Sequence, residues 1–356
     1  MFAHRRNGRN VLFFASLLLC LAISSPVWSA QRTPEKIHRL SMSGSYPDTH
    51  PLVLEVLLPW AEEIREKTQG RVVITYYNPD LLFPEKTHFG AVRQGNLALG
   101  QQFCGRSPET FVLNSILGVP AGLGSSGSAS AAILRLYKSQ PEMQREYSAI
   151  KLLTLYAAPP FQLHSLFPLE SPEDLRGKRI LCSDSSLAAM LSAAGAIPLL
   201  LPEASWAESF SGLEAQGALL SFDLFSLYNL DRLPLTRSII LNISTEAGWL
   251  GMNKSAWESL PRNLRQIIES SSGDGLSQRM AQALDKAAGA NRGLLAERGL
   301  LMRAPDEEER RRWLESLEPA ARSGWLERMR TARIGNAEKI LERFMTFCRE
   351  SESAGL

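Results

Sequence analysis

Short apolar runs of the strand type alternate with stretches of helical periodicity along the first half of this chain. These runs cover 37–42, 71–77, 97–99 and 151–156, and the second of them is rich in β-branched and aromatic residues, which favours a strand. Between the first two runs, apolar residues recur at helical spacing, and they are Leu54, Leu57, Leu58, Ala61 and Ile64. A shorter helix is predicted over 85–94, ending at Gly95. This alternation is typical of an α/β protein.

Two apolar runs, at 180–182 and 199–201, enclose a stretch of helical spacing in the second half. The first run follows a turn that Pro172 starts and Asp174 can cap, and Gly177 then allows a tight reversal. Two strands joined by a helix are predicted to lie parallel in one sheet. The apolar residues of the helix are Leu187, Met190 and Leu191.

The rest of the second half reads as helices and one short strand. A helix over 205–216 is predicted to have three large apolar residues on one face, namely Trp206, Phe210 and Leu213. Core packing is the simpler interpretation for the last two, whereas Trp206, near the helix start, is a candidate to face a cleft. A long helix is predicted over 263–297, where glycines at 273, 275 and 289 favour kinks. A strand at 300–302 and further helices follow.

Residues 1–29 have the three parts of a secretory signal peptide. Three of the first nine residues are arginines, the apolar core over 11–23 is too short to span a bilayer, and small residues precede Ala30. The sequence therefore predicts Sec export, cleavage before Ala30 and a periplasmic mature protein. Cleavage would lower the formal charge from +2 to about −1, because the three arginines leave with the segment. No basic excess then remains for nucleic-acid binding.

A glycine-rich segment, 118–130, contains G-x-G-x-x-G at Gly122, Gly124 and Gly127. A dinucleotide site needs a strand directly before this motif and an acidic residue about 20 positions after it. The preceding residues make a poor strand end, and the acidic residues that follow are loosely placed. A mobile loop capped by Ser128 is the simpler interpretation, and a nucleotide site is the alternative.

Histidines and cysteines form no recognisable metal, redox or disulfide pattern. None of the five histidines belongs to a paired motif such as H-E-x-x-H, and the cysteines never occur as C-x-x-C. The mature chain keeps Cys104, Cys182 and Cys348, and the first two pair only if the fold brings them together. No G-x-S-x-G elbow is present. The sequence thus predicts neither a cofactor nor a metal, and it favours a protein that is not an enzyme.

Several segments resemble the DctP family of substrate-binding proteins of TRAP (tripartite ATP-independent periplasmic) transporters. D-L-R-G-K-R-I followed by G-A-I-P is similar to the family's D-L-K-G-x-K-I-R and G-A-x-P. W-A-E-E-I-R-E-K-T-Q-G-R-V and a later N-K-x-x-W-x-x-L-P also match. These motifs lie at 60–72, 174–180, 195–198 and 253–261, and the resemblance extends over about residues 36–310. One position departs, because the family's ligand-gripping arginine falls on Leu181.

The resemblance implies a two-lobed α/β periplasmic binding protein fold, with a ligand cleft between the lobes and a long connecting helix. Lobe 1 is expected to comprise 30–157 plus 246–285, and lobe 2 to comprise 158–245 plus 286–356. The chain would cross between lobes near Ala158 and Glu246. The implied function is a monomeric receptor that captures a small organic anion, a carboxylate or sulfonate, by hinge closure. It would deliver that anion to the membrane permease subunits of a TRAP-type transporter.

The resemblance also carries ligand-binding candidates over by position: Tyr46, Gln102, Cys104, Arg106, Gln162, His164, Arg179, Trp206 and Asp223. Trp206 and Arg179 are the leading candidates, although surface or core packing explains each candidate equally well. Arg179 lies on the same face of its strand as Leu181, so Arg179, or Arg106 from the other lobe, is the expected substitute for the family arginine. Two other functions stay open, an exported or nucleotide-using α/β enzyme and a ligand-binding sensory partner without transport.

Overall fold

The structure, a computed structural model, describes residues 35–79, 81–233 and 235–355. The predicted signal peptide lies outside these residues. The strands, in chain order, are β1 His38–Ser43, β2 Val72–Tyr77, β3 Leu99–Phe103, β4 Ile150–Ala157, β5 Gln162–Ser165, β6 Arg179–Cys182, β7 Ile197–Leu200, β8 Gly217–Leu220, β9 Arg237–Ile239, β10 Ala247–Asn253 and β11 Leu301–Arg303.

The α-helices of the described ranges alternate with these strands through most of the chain. They are α1 Leu58–Lys67, α2 His88–Gln94, α3 Ser126–Ser139, α4 Pro141–Glu146, α5 Ser185–Ala193, α6 Trp206–Ser211, α7 Leu224–Leu227, α8 Lys254–Glu258, α9 Arg262–Ser270, α10 Gly273–Glu297, α11 Glu307–Thr331 and α12 Ala337–Ser353. Within the part of the chain that the structure describes, no helix combines the length and apolarity needed to cross a membrane.

The strands form two separate sheets, which give the fold its two lobes. The first sheet has five strands in the order β2-β1-β3-β10-β4, and the second has six in the order β11-β9-β5-β8-β6-β7. In the first, β1 pairs parallel with β2 and β3, while β10 lies antiparallel between β3 and β4. In the second, β6 pairs parallel with β7 and β8. The predicted parallel strand–helix–strand unit, β6-α5-β7, is confirmed.

Local sequence explains why β6 starts where it does. The hydroxyl of Ser171 and the carboxylate of Asp174 cap a single helical turn reciprocally. Gly177 then takes a φ of +72°, which a side chain would disfavour, and the chain reverses into the strand. Ile180 and Cys182 pack on one face of β6 in the core that the apolar residues of α5 complete. The helix and its two strands therefore bury a shared core.

Two adjacent chain segments connect the sheets. One runs from β4 to β5 and the other from β9 to β10, and the expected crossings near Ala158 and Glu246 fall in them. The backbone N–H of Ala158 donates to the carbonyl of Glu246 at 2.9 Å, and that of Phe161 donates to Ser244 at 2.8 Å. The segments therefore run side by side as a hydrogen-bonded ribbon.

Two helices of 25 residues each also connect the cores of the two sheets. Along α11, Trp313 and Leu317 pack in the core of the second sheet, whereas Trp325 and Met329 pack with the first. Along α10, Leu284 packs with the first sheet and Leu295 with the second. The final helix, α12, packs on α3 in the core of the first sheet, although the resemblance implies that 286–356 belongs to lobe 2.

The buried face of the first helix differs from the predicted one. Leu54 and Leu58 are 52% and 37% exposed, so their place in the buried stripe was wrong. The helix starts with a π-helical turn, Val53–Leu57, in which each turn holds more residues than an α-helical turn. The buried face is therefore shifted onto Val53 and Val56.

Two helix extents and one strand also differ from expectation. The helix predicted over 205–216 ends at Ser211, and Leu213 is 73% exposed with a φ of +58°. The long helix over 263–297 is two helices, because the chain turns through Ser271 and Ser272 before α10. The strand predicted at 97–99 begins only at its last residue, since the chain turns after Gly95.

Candidate functional site

A narrow pocket with a cavity volume of about 30 Å³ lies between the two sheets. Loops that follow β1 and β3 form one wall, loops that follow β6, β7 and β8 form the other, and the crossing segments close the back. We call it the cleft pocket, and its lining residues are Ser45, Tyr46, Phe103, Arg106, Ala158, Phe161, Ser183, Glu203, Trp206, Leu219, Leu220, Ser221, Asp223, Leu224, Leu227, Tyr228 and Glu246.

Five of the residues that line the cleft pocket are aromatic. Tyr46 and Phe103 meet edge to face with ring centroids 6.0 Å apart, and Phe161, Trp206 and Tyr228 complete the set. The indole N–H of Trp206 donates to the carbonyl of Leu201 at 2.9 Å, which fixes the ring in one orientation. Such walls suit a small planar organic group held by a few polar contacts.

A tyrosine–aspartate hydrogen bond crosses the cleft pocket. The hydroxyl of Tyr46, after β1, donates to the carboxylate of Asp223, after β8, at 3.1 Å. The other carboxylate oxygen accepts a hydrogen bond from Ser221. Burial is the main reason that the pKa of Asp223 rises to about 6. Burial, together with the nearby Asp223, also raises the pKa of Tyr46.

An arginine–glutamate ion pair crosses the same pocket. Arg106 lies in the helical turn Cys104–Arg106 that follows β3, and Glu203 lies in the turn Glu203–Ser205 that precedes α6. The two terminal nitrogens of Arg106 lie 3.3 Å from the two carboxylate oxygens of Glu203. This is the two-pronged geometry with which a guanidinium binds any planar acid group.

A third carboxyl group, that of Glu246, lies at the back of the cleft pocket. It accepts a hydrogen bond from the backbone N–H of Gly105 at 2.7 Å. Burial raises the pKa of Glu246 to about 8, with Asp184 adding to the rise and Arg106 opposing it. Among the described lining residues, three carboxyl groups therefore face a single guanidinium.

A second pocket, with a cavity volume of about 240 Å³, adjoins the first and shares Phe161, Ser183 and Glu246 with it. Cys104 lines this adjoining pocket rather than the cleft pocket, and its sulfur lies 3.4 Å from the hydroxyl of Tyr147. Burial raises the pKa of the Cys104 thiol well above its usual value. The thiol is therefore protonated at neutral pH.

The cleft pocket brings together four of the nine candidate residues: Tyr46, Arg106, Trp206 and Asp223. Three others lie in the surrounding structure. The side-chain oxygen of Gln162 accepts from the backbone N–H groups of Leu241 and Asn242 at 2.8 and 2.9 Å. His164 is buried and lies 3.2 Å from the carbonyl of Leu220, and burial lowers its pKa to about 3. Gln102 is buried within β3.

Arg179 is not brought to the cleft pocket. It is the first residue of β6, whereas Ser183, just past the other end of the strand, lines the pocket. Four residue-to-residue steps along the strand separate the two by about 13 Å. The Arg179 side chain is exposed, and its guanidinium donates to the carbonyl of Leu213 at 2.8 Å and to that of Glu214. Leu181 is fully buried in the core that includes Trp206.

Five aromatic or acidic lining residues were not among the candidates: Phe103, Phe161, Glu203, Tyr228 and Glu246. Glu246 carried one usable signal, its position at an expected crossing between lobes. The others lie in loops or at strand ends, where periodicity does not say which way a side chain points.

The glycine-rich segment has another use than nucleotide binding. A short helical stretch, Leu113–Gly118, precedes it in place of a strand, and Ser125 rather than Ser128 caps α3. The carboxylate of Asp285, on α10, accepts from the N–H of Ser126 at 3.0 Å and from that of Gly127 at 3.4 Å. The N-terminus of α3, where a phosphate would bind, is thus occupied by a side chain of the protein.

The structure also shows the state of the cysteines and whether metal-binding side chains come together in the described residues. Cys104, Cys182 and Cys348 are free and buried, so the conditional Cys104–Cys182 pair does not form. Across residues 35–79, 81–233 and 235–355, no group of three or more His, Cys, Asp or Glu side chains is arranged to hold a metal ion.

Comparison with known proteins places this geometry in a family. Residues 42–327 match the DctP family, described as bacterial extracellular solute-binding protein, family 7. The outer membrane transporter protein TsaT of Comamonas testosteroni is 26% identical over 279 residues, which cover 78% of this chain and 80% of that protein.

Two solved structures show the same fold. A TRAP periplasmic solute binding protein from Bordetella bronchiseptica, with bound (R)- and (S)-mandelate, has a TM-score of 0.76 at 23% identity, covering 88% of this chain and 99% of that one. A TRAP solute binding protein from Rhodoferax ferrireducens, with copurified benzoate, has a TM-score of 0.81 at 17% identity, covering 89% and 99%. The family match spans most of the sequence, and this chain belongs to the DctP family of bacterial extracellular solute-binding proteins.

Proposed function

We propose that this protein is the extracytoplasmic receptor of a TRAP-type transporter, and that it captures a small organic acid in the cleft pocket for delivery to a membrane permease. The observation that carries the proposal is the position of Arg106, whose guanidinium faces an aromatic-lined pocket between the two lobes. A guanidinium binds a carboxylate or sulfonate through two parallel hydrogen bonds. Family membership supports the transport role.

The lining of the pocket favours an aromatic acid. Rings of Phe103, Phe161, Trp206 and Tyr228 supply flat apolar surface close to Arg106, and offset or edge-to-face ring contacts stabilise a bound ring. The relatives from Bordetella bronchiseptica and Rhodoferax ferrireducens hold mandelate and benzoate. In this proposal Arg106 binds the acid group, Trp206 contacts the ring, and Tyr46 and Asp223 meet the ligand's far end.

A catalytic role receives no comparable support. The family and its structural neighbours are solute-binding receptors, and the observation that motivated a nucleotide-using enzyme is explained by Asp285. Native mass spectrometry of freshly purified protein tests the binding proposal directly. We expect a mass increment that denaturation removes and that corresponds to a small organic acid; a nucleotide or a sugar in its place would contradict the ligand class.

We propose that ligand capture closes the two lobes about the ribbon formed by the crossing segments. The proposed division keeps lobe 1 at 30–157 plus 246–285 and lobe 2 at 158–245 plus 286–356, except that α12 moves with lobe 1, because its core contacts lie there. Small-angle scattering at saturating copurified acid should give a smaller radius of gyration than scattering of the ligand-free protein. An unchanged scattering profile would argue against closure.

The mature protein should begin near Ala30 and be recovered from the periplasm. The arginine-rich start and the short apolar core of residues 1–29 motivate this expectation. Edman sequencing or intact-mass measurement of the periplasmic fraction checks it. A product that keeps Met1 and stays in the cytoplasm would contradict both the processing and the receptor role.

A further inference from the structure

The ion pair that crosses the cleft pocket also bridges the two sheets. Arg106 follows a strand of the first sheet and Glu203 follows a strand of the second, so the pair joins the two lobes. Both terminal nitrogens of the guanidinium face a carboxylate oxygen at 3.3 Å. The side chain of Glu203 is only 9% exposed, against 29% for that of Arg106. The contact is therefore largely withdrawn from water, where charge pairs interact more strongly than at the surface.

Among the described residues of the cleft pocket, Arg106 alone carries a lysine or arginine charge that could bind an acid group. Arg328 lines only the adjoining pocket. The remaining charged or titratable groups on the lining are acidic or phenolic: Tyr46, Glu203, Asp223, Tyr228 and Glu246. A ligand acid that enters this pocket therefore meets an arginine whose two-pronged face already holds a carboxylate.

We propose that Glu203 is an internal competitor of the ligand: its carboxylate occupies, on Arg106, the position of the ligand's acid group, and the ligand binds by displacing it. This inference rests on the proposed function in that the ligand is taken to be an organic acid. Glu203 then sets the minimum binding energy that a ligand must supply, because a bare acid group gains nothing by exchanging one carboxylate for another on Arg106. Only an acid with further contacts, such as a ring between Trp206 and Phe161, gains enough to displace it.

A supporting role for Glu203 makes the opposite prediction. If its carboxylate only orients the guanidinium for the ligand, removal of its charge weakens ligand binding, as removal of a positioning contact does. If Glu203 competes with the ligand, removal of its charge strengthens binding. The sign of the change therefore separates the two roles.

The test compares Glu203→Gln with the parent by titration calorimetry, with sodium benzoate and sodium acetate as probes. We expect Glu203→Gln to bind benzoate about tenfold more tightly or better, a change of about 1.4 kcal/mol. Acetate should gain by about the same factor, because both acids displace the same carboxylate from Arg106. Glu208→Gln is the matched control, since Glu208 is exposed on the neighbouring helix α6, and its affinity should equal that of the parent. Weaker or equal benzoate binding by Glu203→Gln overturns the proposal.

A second arm needs no ligand. Phenylglyoxal modifies free guanidinium groups, so ligand-free Glu203→Gln should lose Arg106 to the reagent several-fold faster than the parent, as read by peptide mass spectrometry. The exposed Arg312 in the same digest is the internal reference. Equal rates at Arg106 overturn the competitor role. Another outcome is that neither protein binds benzoate or acetate while the rates of Arg106 modification still differ. In that case Glu203 does shield Arg106, and the assignment of an organic acid as the ligand fails instead.

Discussion

Arg106→Ala is expected to weaken binding of an organic acid by on the order of 2–5 kcal/mol, the usual cost of truncating one partner of a desolvated charge pair. The reason is that Arg106 is the single guanidinium among the described residues of the cleft pocket. Titration calorimetry with benzoate, or with the acid that copurifies, measures the loss. Arg106→Lys should recover only part of it, because an ammonium group lacks the planar fork.

The matched control for this change is Arg179→Ala, which removes a guanidinium that lies outside the pocket. Its contacts are the carbonyls of Leu213 and Glu214, so the affinity of Arg179→Ala should equal that of the parent. A loss in Arg179→Ala with no loss in Arg106→Ala would restore the interpretation drawn from the sequence alone. If both variants bind the acid as tightly as the parent, neither Arg106 nor Arg179 binds the acid group.

Stability should fall as the pH rises from about 5 to about 8, and Glu246 should be a main cause. The pKa of Glu246 is about 8 in the folded protein and 4.5 in its usual environment. The folded state therefore holds a proton that the unfolded chain has lost, and this stabilisation is complete below pH 4.5 and is lost as the pH rises through 8. Because the side chain is partly exposed, we expect on the order of 2–4 kcal/mol across this range.

Glu246→Gln should flatten that part of the profile, since an amide does not titrate yet can still accept the N–H of Gly105. Chemical denaturation of ligand-free protein at several pH values measures the slope. The decline through the lower pKa of Asp223, about 6, should remain in the variant. Glu208→Gln should keep the whole parental slope, because that side chain is exposed. A Glu246→Gln profile parallel to the parent would assign the pH dependence elsewhere.

Patterns that depend on neighbouring residues predicted the fold well. Strands at 71–77 and 151–156 and the unit around α5 were visible because a strand or a helix imposes its period on the residues that it buries. The failures came where a local event changed the period. The π-helical turn Val53–Leu57 moved the buried face, and the chain left the helical conformation before Leu213. Hydrophobicity alone does not record such events.

The site was harder to predict because its residues come from several separate loops. Arg179 shows the difficulty: alternation along a strand predicts which residues share a face, but it does not predict which end of the strand meets the cleft. The length of β6 decided that, and it places Arg179 at the far end. Glu203 carried no signal at all, since its role exists only through Arg106, 97 residues earlier in the chain.

The two helices that share both cores, α10 and α11, bear on how the receptor opens. Each helix packs in the core of one lobe towards one end and in the core of the other lobe towards its other end. A rotation of one lobe against the other would therefore bend or shift both helices. Pro319 lies inside α11, between Leu317 and Trp325, and a proline there removes one backbone hydrogen bond from the helix. Helix α11 therefore bends most easily near Pro319, between the residues that pack in the two lobes. In the proposed closure, the stiffness of α10 and α11 would then resist opening, so that part of the free-energy difference between open and closed receptor is set far from the ligand.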